Sequence, residues 1–404
     1  MASNRFICVI TSSMKSGEQF HRAARLAAIE PFRVMDVQNR AHELESQGRE
    51  IVHMEIGQPD FSAPPQVLEA ATRAIRERPL GYTPSLGLPE LREAISQYYR
   101  ERYAVDVPAE RIVITSGASG AFLLALGALV DPSDEVLMPD PCYPCNRHFV
   151  RLFEGAPRTV AVDERTHYQL GLAEVQSNWG PRTRGVLLAS PSNPTGTIVP
   201  TDALAAIIDW VHGRGGFVLV DEIYHELAYG DPLPTALALS DEIFLVNSFS
   251  KYFNMTGWRL GWIVAPERYV RGLETLAQNA FICAPVPSQH AALAAFEPAT
   301  IAILEERRLE FQRRRDFLVP ALRELGFRVP IMPEGAFYVY AGIERFGLDS
   351  HALAHRLIEE AGVAITPGLD FGANRPEQHV RFAYTRAIEE LREGVERLRE
   401  TLIA

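Results

Sequence analysis

The stretch SFSKYFNMTGWRLGW, residues 248–262, sets one lysine directly behind the apolar run Ile243-Phe244-Leu245-Val246. That run has the composition of a buried strand. Lys251 follows it, with Ser248 and Ser250 beside it and Arg259 a little further on. Lysine is rarely buried unless something pairs with it or uses it. Burial weakens its hold on the proton and turns the amine into a nucleophile, which is how Schiff-base lysines arise. The alternative is a strand-end lysine that snorkels to water.

Further out, strand-like runs recur at Ile112–Thr115, Val136–Met138, Thr159–Val162, Gly185–Ala189, Phe217–Val220, Ile243–Val246 and Leu260–Val264. Helical patterns such as Ala203–Val211 lie between most of them. Short apolar strands alternating with helices predict an α/β fold on a mostly parallel seven-stranded sheet. Ligands of such sheets gather beyond the carboxyl ends of the strands.

Four more stretches fall at those ends. SGASG (116–120) lies between a strand and an apolar helix, where converging N–H groups and the helix dipole can cradle an anion. A plain tight turn reads equally well. SPSNPTG (190–196) holds Asn193, a donor and acceptor, in a rigid proline-framed turn. VDEIYHE (220–226) places Asp221 behind a buried run, with the Tyr224 phenol close by. A buried carboxylate there needs a cationic or donor partner, although a helix-capping aspartate is the competing reading. VRFAY (380–384) embeds Arg381 in a late apolar strand, calling for an anionic ligand or a structural salt bridge. A nucleophilic lysine, an acid for a ring nitrogen, an amide and a phenol for a ring oxygen and a phosphate cradle describe one ligand. Pyridoxal 5′-phosphate meets every requirement and leaves Arg381 for a second anion such as an α-carboxylate.

With PSNPTG, DEIY, SFSK followed by MTGWRLG, and VRF in this order, the chain resembles the class I/II aminotransferases of the fold-type I pyridoxal-phosphate enzymes. The likeness runs from about residue 22 to the end and is nearest to the bacterial aspartate-like or broad-specificity branch. It implies that Lys251 holds the cofactor covalently and then moves protons, and that Asp221 pairs with the ring nitrogen. Asn193 and Tyr224 would bond the ring oxygen, and Tyr143 of PCYP would stack on the ring. Ala118, Ser119, Ser248 and Arg259 would hold the phosphate. Arg381, helped by the backbone of Gly57 in EIGQPDF, would grip the substrate α-carboxylate. Tyr82 would reach the phosphate of the neighbouring subunit, implying a homodimer with shared sites. The implied reaction moves an amino group from an L-amino acid to a 2-oxo acid, 2-oxoglutarate or pyruvate, in ping-pong fashion. A C–S β-lyase or another enzyme of the same fold is the alternative, and a non-catalytic regulatory module a more distant one. Dicarboxylate-specific members of that branch often carry a lysine in the glycine loop where this chain has Ser119, which argues for a broad or neutral-side-chain donor preference.

Bulk properties bound the reading. The 404 residues exceed one ordinary core. The expected division is an N-terminal extension over 1–20, a segment 21–60 that joins a small domain, a large cofactor-binding domain over 61–297 and the small α+β domain over 298–404. A net charge of −11 disfavours a nucleic-acid or anionic-membrane surface. No apolar run approaches the roughly 20 residues that cross a bilayer. Four cysteines form no disulfide framework, which points to the cytoplasm. Cys142-Tyr-Pro-Cys145 lacks the second pair a zinc site would want, and His351 and His355 lack the intervening glutamate of a zinc helix, so no metal is expected. The run RRLEFQRRRD (307–316) reads as the solvated side of a long helix.

Overall fold

The computed structural model describes residues 23–403, so the extension expected over 1–20 falls outside the described residues. The strands are β1 (Val52–His53), β2 (Ile112–Thr115), β3 (Glu135–Asp140), β4 (Ala156–Ala161), β5 (Thr183–Ala189), β6 (Phe217–Asp221), β7 (Phe244–Ser248), β8 (Gly261–Val264), β9 (Tyr338–Gly342), β10 (Val363–Ala364), β11 (Thr366–Pro367) and β12 (His379–Ala383). A seven-stranded sheet has the order β2-β8-β7-β6-β5-β3-β4. The pairs β3–β4, β3–β5, β5–β6 and β6–β7 are parallel, while β8 runs against both of its neighbours. Only β8 is therefore reversed, and β2 points the same way as β7.

Successive strand residues face opposite sides of the sheet. Val218 and Val220 of β6 enter one apolar layer, and Phe217 and Leu219 enter the other. Both faces are covered, which is why the strands read as unbroken apolar runs rather than alternating ones. The polar residues then collect where the runs stop. Asp221 and Ser248 close β6 and β7, and Ser190–Asn193 follow β5. The start of reversed β8 lies at this same edge, since Gly261 stands opposite both Thr115 and Ser248. That register brings Arg259 to the helix Gly117–Leu129, which follows β2.

Past residue 297 the pattern changes. The helix Pro298–Leu325 leads to a three-stranded antiparallel sheet, β11-β12-β9, and the chain ends on the helix Ile388–Ile403. Ile365 separates two short strands: β10 pairs in parallel with β1, and β11 pairs antiparallel with β12. One expectation is corrected. The stretch 307–316 is not simply a solvated face, because Phe311 and Arg314 are buried. Arg314 bonds Asp60 at 2.9 Å, Arg307 bonds Ser62 O and Asn254 Oδ1 at 2.7 Å each, and Arg315 bonds Pro333 O at 2.8 Å. Long guanidinium arms here satisfy carbonyls and a carboxylate on neighbouring segments. His351 and His355 are exposed on the helix Ser350–Arg356, and Cys142 and Cys145 are free thiols.

Candidate active site

At the carboxyl edge of the sheet a cavity of about 320 Å³ opens between the seven-stranded sheet and the C-terminal strands. Gly57, Ala118, Ser119, Tyr143, Asn193, Asp221, Tyr224, Lys251, Arg259 and Arg381 all line it, although they span more than three hundred positions of sequence. The Lys251 amine donates to Gly57 O at 2.7 Å. Burial, reinforced by the positive charges of Arg381 and Arg259, lowers its pKa to about 8 against a smaller opposing pull from Asp221. Burial pushes the Asp221 carboxyl up to about 7, with the Ile223 N–H and Lys251 pulling the other way. Asp221 Oδ1 accepts from the Ile223 N–H at 3.1 Å, so it does cap a local turn. Its Oδ2 meets no donor among the described residues and is left for a cationic N–H, which would return the group to a carboxylate.

The first turn of the helix Gly117–Leu129 and Arg259 meet in a concave wall suited to a phosphate. The Ser116 side chain does not cap this helix, so its first N–H groups stay available to a ligand. Gly117 has φ +73°, and a β-carbon on it would lie 2.5 Å from Arg259 Nη2. Glycine is thus what lets the guanidinium approach the helix start. Ser250 and Thr256 complete the wall. Ser248 stands off it: its hydroxyl is 2.9 Å from Ser250 Oγ and 3.0 Å from Leu260 O. An anion cradle, an amine with a weakened proton and a buried acid with one free oxygen together fit pyridoxal phosphate.

Arg381 makes no structural salt bridge among the described residues. Its hydrogen-bond partners are Asn193 Oδ1 at 3.0 Å, Glu55 O at 2.7 Å and Thr366 Oγ1 at 3.2 Å, and its Nε is buried without a partner. No carboxylate pairs with it among the described residues. A guanidinium held by neutral oxygens in a cavity wall retains its charge for an incoming anion. The bond from Arg381 also orients Asn193, leaving the amide nitrogen to donate to a ligand oxygen.

Several wall residues carried no signal in the sequence. Tyr338 places its hydroxyl 2.8 Å from that of Tyr224. Thr366 and the Glu55 carbonyl brace Arg381. Phe32, Val34, Met35 and Gln38 roof the cavity from the start of the helix Arg33–Ser46, and Phe371 adds an apolar wall. Asp370 holds that helix by accepting from Arg33 N at 2.6 Å and Val34 N at 2.9 Å. A Pro-Glu-Gly-Ala-Phe-Tyr strand entry and a distant aspartate resemble ordinary core and loop, so only a clue to long-range packing could have singled them out. Tyr82 is not brought in: it is 82% exposed and lies outside the lining of its own cavity.

Comparison with known proteins gives the same direction. The family described as aminotransferase class I and II matches residues 49–398. The valine–pyruvate aminotransferase of Mycobacterium tuberculosis is 38% identical over 379 residues, covering 93% of this chain and 97% of that protein. The aspartate aminotransferase of Streptomyces avermitilis is 34% identical over 395 residues, covering 94% of this chain and 96% of that protein. The crystal structure of the Thermus thermophilus aspartate aminotransferase with maleate superposes with a TM-score of 0.90 at 32% identity, covering 95% of this chain and all of that one.

Proposed function

Since the chain belongs to the class I and II aminotransferases, a pyridoxal-phosphate-dependent, fold-type I family of amino-group transfer enzymes, we propose that its donors are amino acids with uncharged side chains. The observation that carries this is the set of cations in the cavity wall. Among the described residues they are Lys251, Arg259 and Arg381, and each already has a task. The wall toward the roof is Phe32, Val34, Met35 and Phe371, with Gln38 as a neutral polar member and Asp370, whose carboxylate accepts from the Arg33 and Val34 N–H groups. Apolar walls with few fixed polar groups select by shape and burial rather than by charge. The relative named for valine and pyruvate agrees with this; for aspartate to be a donor here, a further cation would have to reach the site from outside this wall.

We assign the roles as follows. Arg259, the helix start at Gly117–Ser119 and Ser250 hold the phosphate, with Ser248 steadying Ser250 from behind. Asp221 holds the ring nitrogen, Asn193 and Tyr224 the ring oxygen, and Tyr143 the ring face. Bound pyridoxal phosphate supplies a conjugated ring that withdraws electrons from the substrate α-carbon. Arg381 grips the α-carboxylate and so fixes which bond at the α-carbon faces Lys251. The lowered pKa of Lys251 suits its amine both to tether the cofactor and, once free, to take the α-proton. The acceptor is a 2-oxo acid, pyruvate or 2-oxoglutarate, that reads the same arginine. We assign residues 21–60 and 298–404 to the small domain and 61–297 to the large one. The protein works as a cytoplasmic homodimer in which Tyr82 serves the partner's phosphate; the exposure of Tyr82 supports the shared site.

The test is kcat/KM for aspartate against alanine, valine, leucine and phenylalanine, with pyruvate and 2-oxoglutarate as acceptors. The neutral donors are expected to lead. A preference for aspartate above roughly 100-fold, about 2.7 kcal/mol in the transition state, would refute the proposal.

A further inference from the structure

Two phenols meet on the cavity wall. Tyr338, the first residue of β9, is 1% exposed, and its hydroxyl is 2.8 Å from the Tyr224 hydroxyl. The Arg381 guanidinium carbon sits 4.3 Å from the centre of the Tyr338 ring. A β-carbon at residue 57 would lie 2.0 Å from the Tyr338 hydroxyl, so the backbone that accepts the Lys251 amine is glycine to make room for it. One side chain therefore touches the phenol assigned to the cofactor, the guanidinium assigned to the substrate and the Gly57 backbone that receives the lysine. Phenylalanine would supply the same ring; the hydroxyl is additional.

Two hydroxyls share one hydrogen bond, so one donates and the other accepts. If Tyr224 donated to Tyr338, it would have no proton for a ligand oxygen. If Tyr338 donates, the Tyr224 proton points to the cavity, and the bond it makes there is strengthened by the one it receives. The ring meanwhile offers its negative face to Arg381, whose Nε lacks any partner.

We propose that Tyr338 is a positioning residue for both halves of the site: its hydroxyl directs the Tyr224 proton toward the cofactor oxygen, and its ring holds Arg381 in place for the substrate carboxylate. This rests on the assignment of Tyr224 to that oxygen. Its consequence is spectroscopic. A phenol hydrogen bond favours the ring oxygen as an anion, so the proton beside it leaves at lower pH; a weaker bond moves the pH-dependent colour change of the loaded enzyme upward.

The experiment compares Tyr224→Phe, Tyr338→Phe and Tyr338→Leu in the cofactor-loaded protein. Two quantities are read: the midpoint of the visible absorption change with pH, and the dissociation constant of isovalerate, an unreactive carboxylate, from the spectral change on binding. Tyr338→Phe is expected to raise the midpoint by less than Tyr224→Phe does, with isovalerate affinity within about twofold of wild type because the ring remains. Tyr338→Leu is expected to raise the midpoint similarly and also to weaken isovalerate by roughly fivefold or more. An unmoved midpoint in Tyr338→Phe beside a raised one in Tyr224→Phe overturns the role of the hydroxyl. Wild-type isovalerate affinity in Tyr338→Leu overturns the role of the ring. A midpoint unmoved in Tyr224→Phe overturns the assignment of Tyr224, and this proposal with it, while leaving the donor preference to its own test.

Discussion

An amine attacks a carbonyl only in its unprotonated form. With its pKa lowered to about 8, Lys251 presents that form in about one molecule in four at pH 7.5, where an ordinary lysine near pH 10.5 would present it in about one in a thousand. The shift comes from burial and from two arginines that the site needs for other reasons, so no separate device is required. Lys251→Ala is expected to abolish transamination and the visible absorption of the lysine-bound cofactor; an unchanged spectrum with undiminished turnover would overturn the assignment. Asp221→Asn keeps the shape of the acid but removes its charge. It is expected to retain cofactor and lose roughly 100-fold or more in turnover, a loss typical of removing one preorganised electrostatic partner. Near-normal half-reaction rates in stopped flow would make Asp221 a structural residue. Lys251, Asp221, Asn193 and Arg381 were legible in the sequence because each is a polar residue stranded in an apolar run or a constrained turn. Ser250 and Ser248 were not told apart, since which of two alternating hydroxyls faces the cavity depends on how the chain leaves β7.

Helices and strands transmit constraints to the site from a distance. The roof helix Arg33–Ser46 is tied at its start by Asp370 and near its end by His53 of β1, which lies 2.9 Å from Glu45 and 2.8 Å from Glu55. The Glu55 carbonyl in turn braces Arg381. The hydrogen bond to Glu55 raises the His53 pKa above its ordinary value, with burial and Arg386 opposing and the Glu45 bond adding to it; His42 lies 6.4 Å away, ring to ring. Folding thus strengthens proton binding at His53. The stability gained is fully present below the ordinary histidine pKa and is lost as pH rises through the elevated folded value. His53→Gln is expected to lower Tm at about pH 6 and to converge with wild type by about pH 9; a gap independent of pH would show that His53 contributes by packing alone. None of this was legible locally. The long helix through 307–316 was, because its period is a sequence property, but the inward turn of Arg314 toward Asp60 depends on a segment that lies far from it in sequence.

At the scale of the whole molecule, two expected site residues lie outside the cavity lining: Ser248, which stands behind Ser250, and Tyr82, which is 82% exposed. If Tyr82 serves a partner, a heterodimer of Lys251→Ala and Tyr82→Phe chains contains one doubly altered site and one wild-type site. Random subunit exchange then restores about a quarter of all sites to wild type. The recovery is read as phosphate-dependent cofactor retention and turnover at limiting cofactor. No recovery after verified exchange would place the whole site within one chain. The α/β class was legible from alternating apolar runs, and the seven strands fell close to where those runs did. The reversal of β8 was not, because strand direction is set by how the chain crosses the sheet, and a four-residue apolar run reads the same both ways.

The short parallel pairing of Val52–His53 with Val363–Ala364 carries a consequence in time. It closes a loop of some three hundred residues, whose entropic cost must be met before the contacts it permits can reward it. During synthesis Lys251 and Asp221 emerge well before Arg381 and β10. The nascent chain can therefore complete the sheet and the phosphate cradle while the substrate arginine and the anchor of the roof have yet to leave the ribosome. The arginine assigned to recognising an amino acid is thus the last of this chain's own site residues to be synthesised.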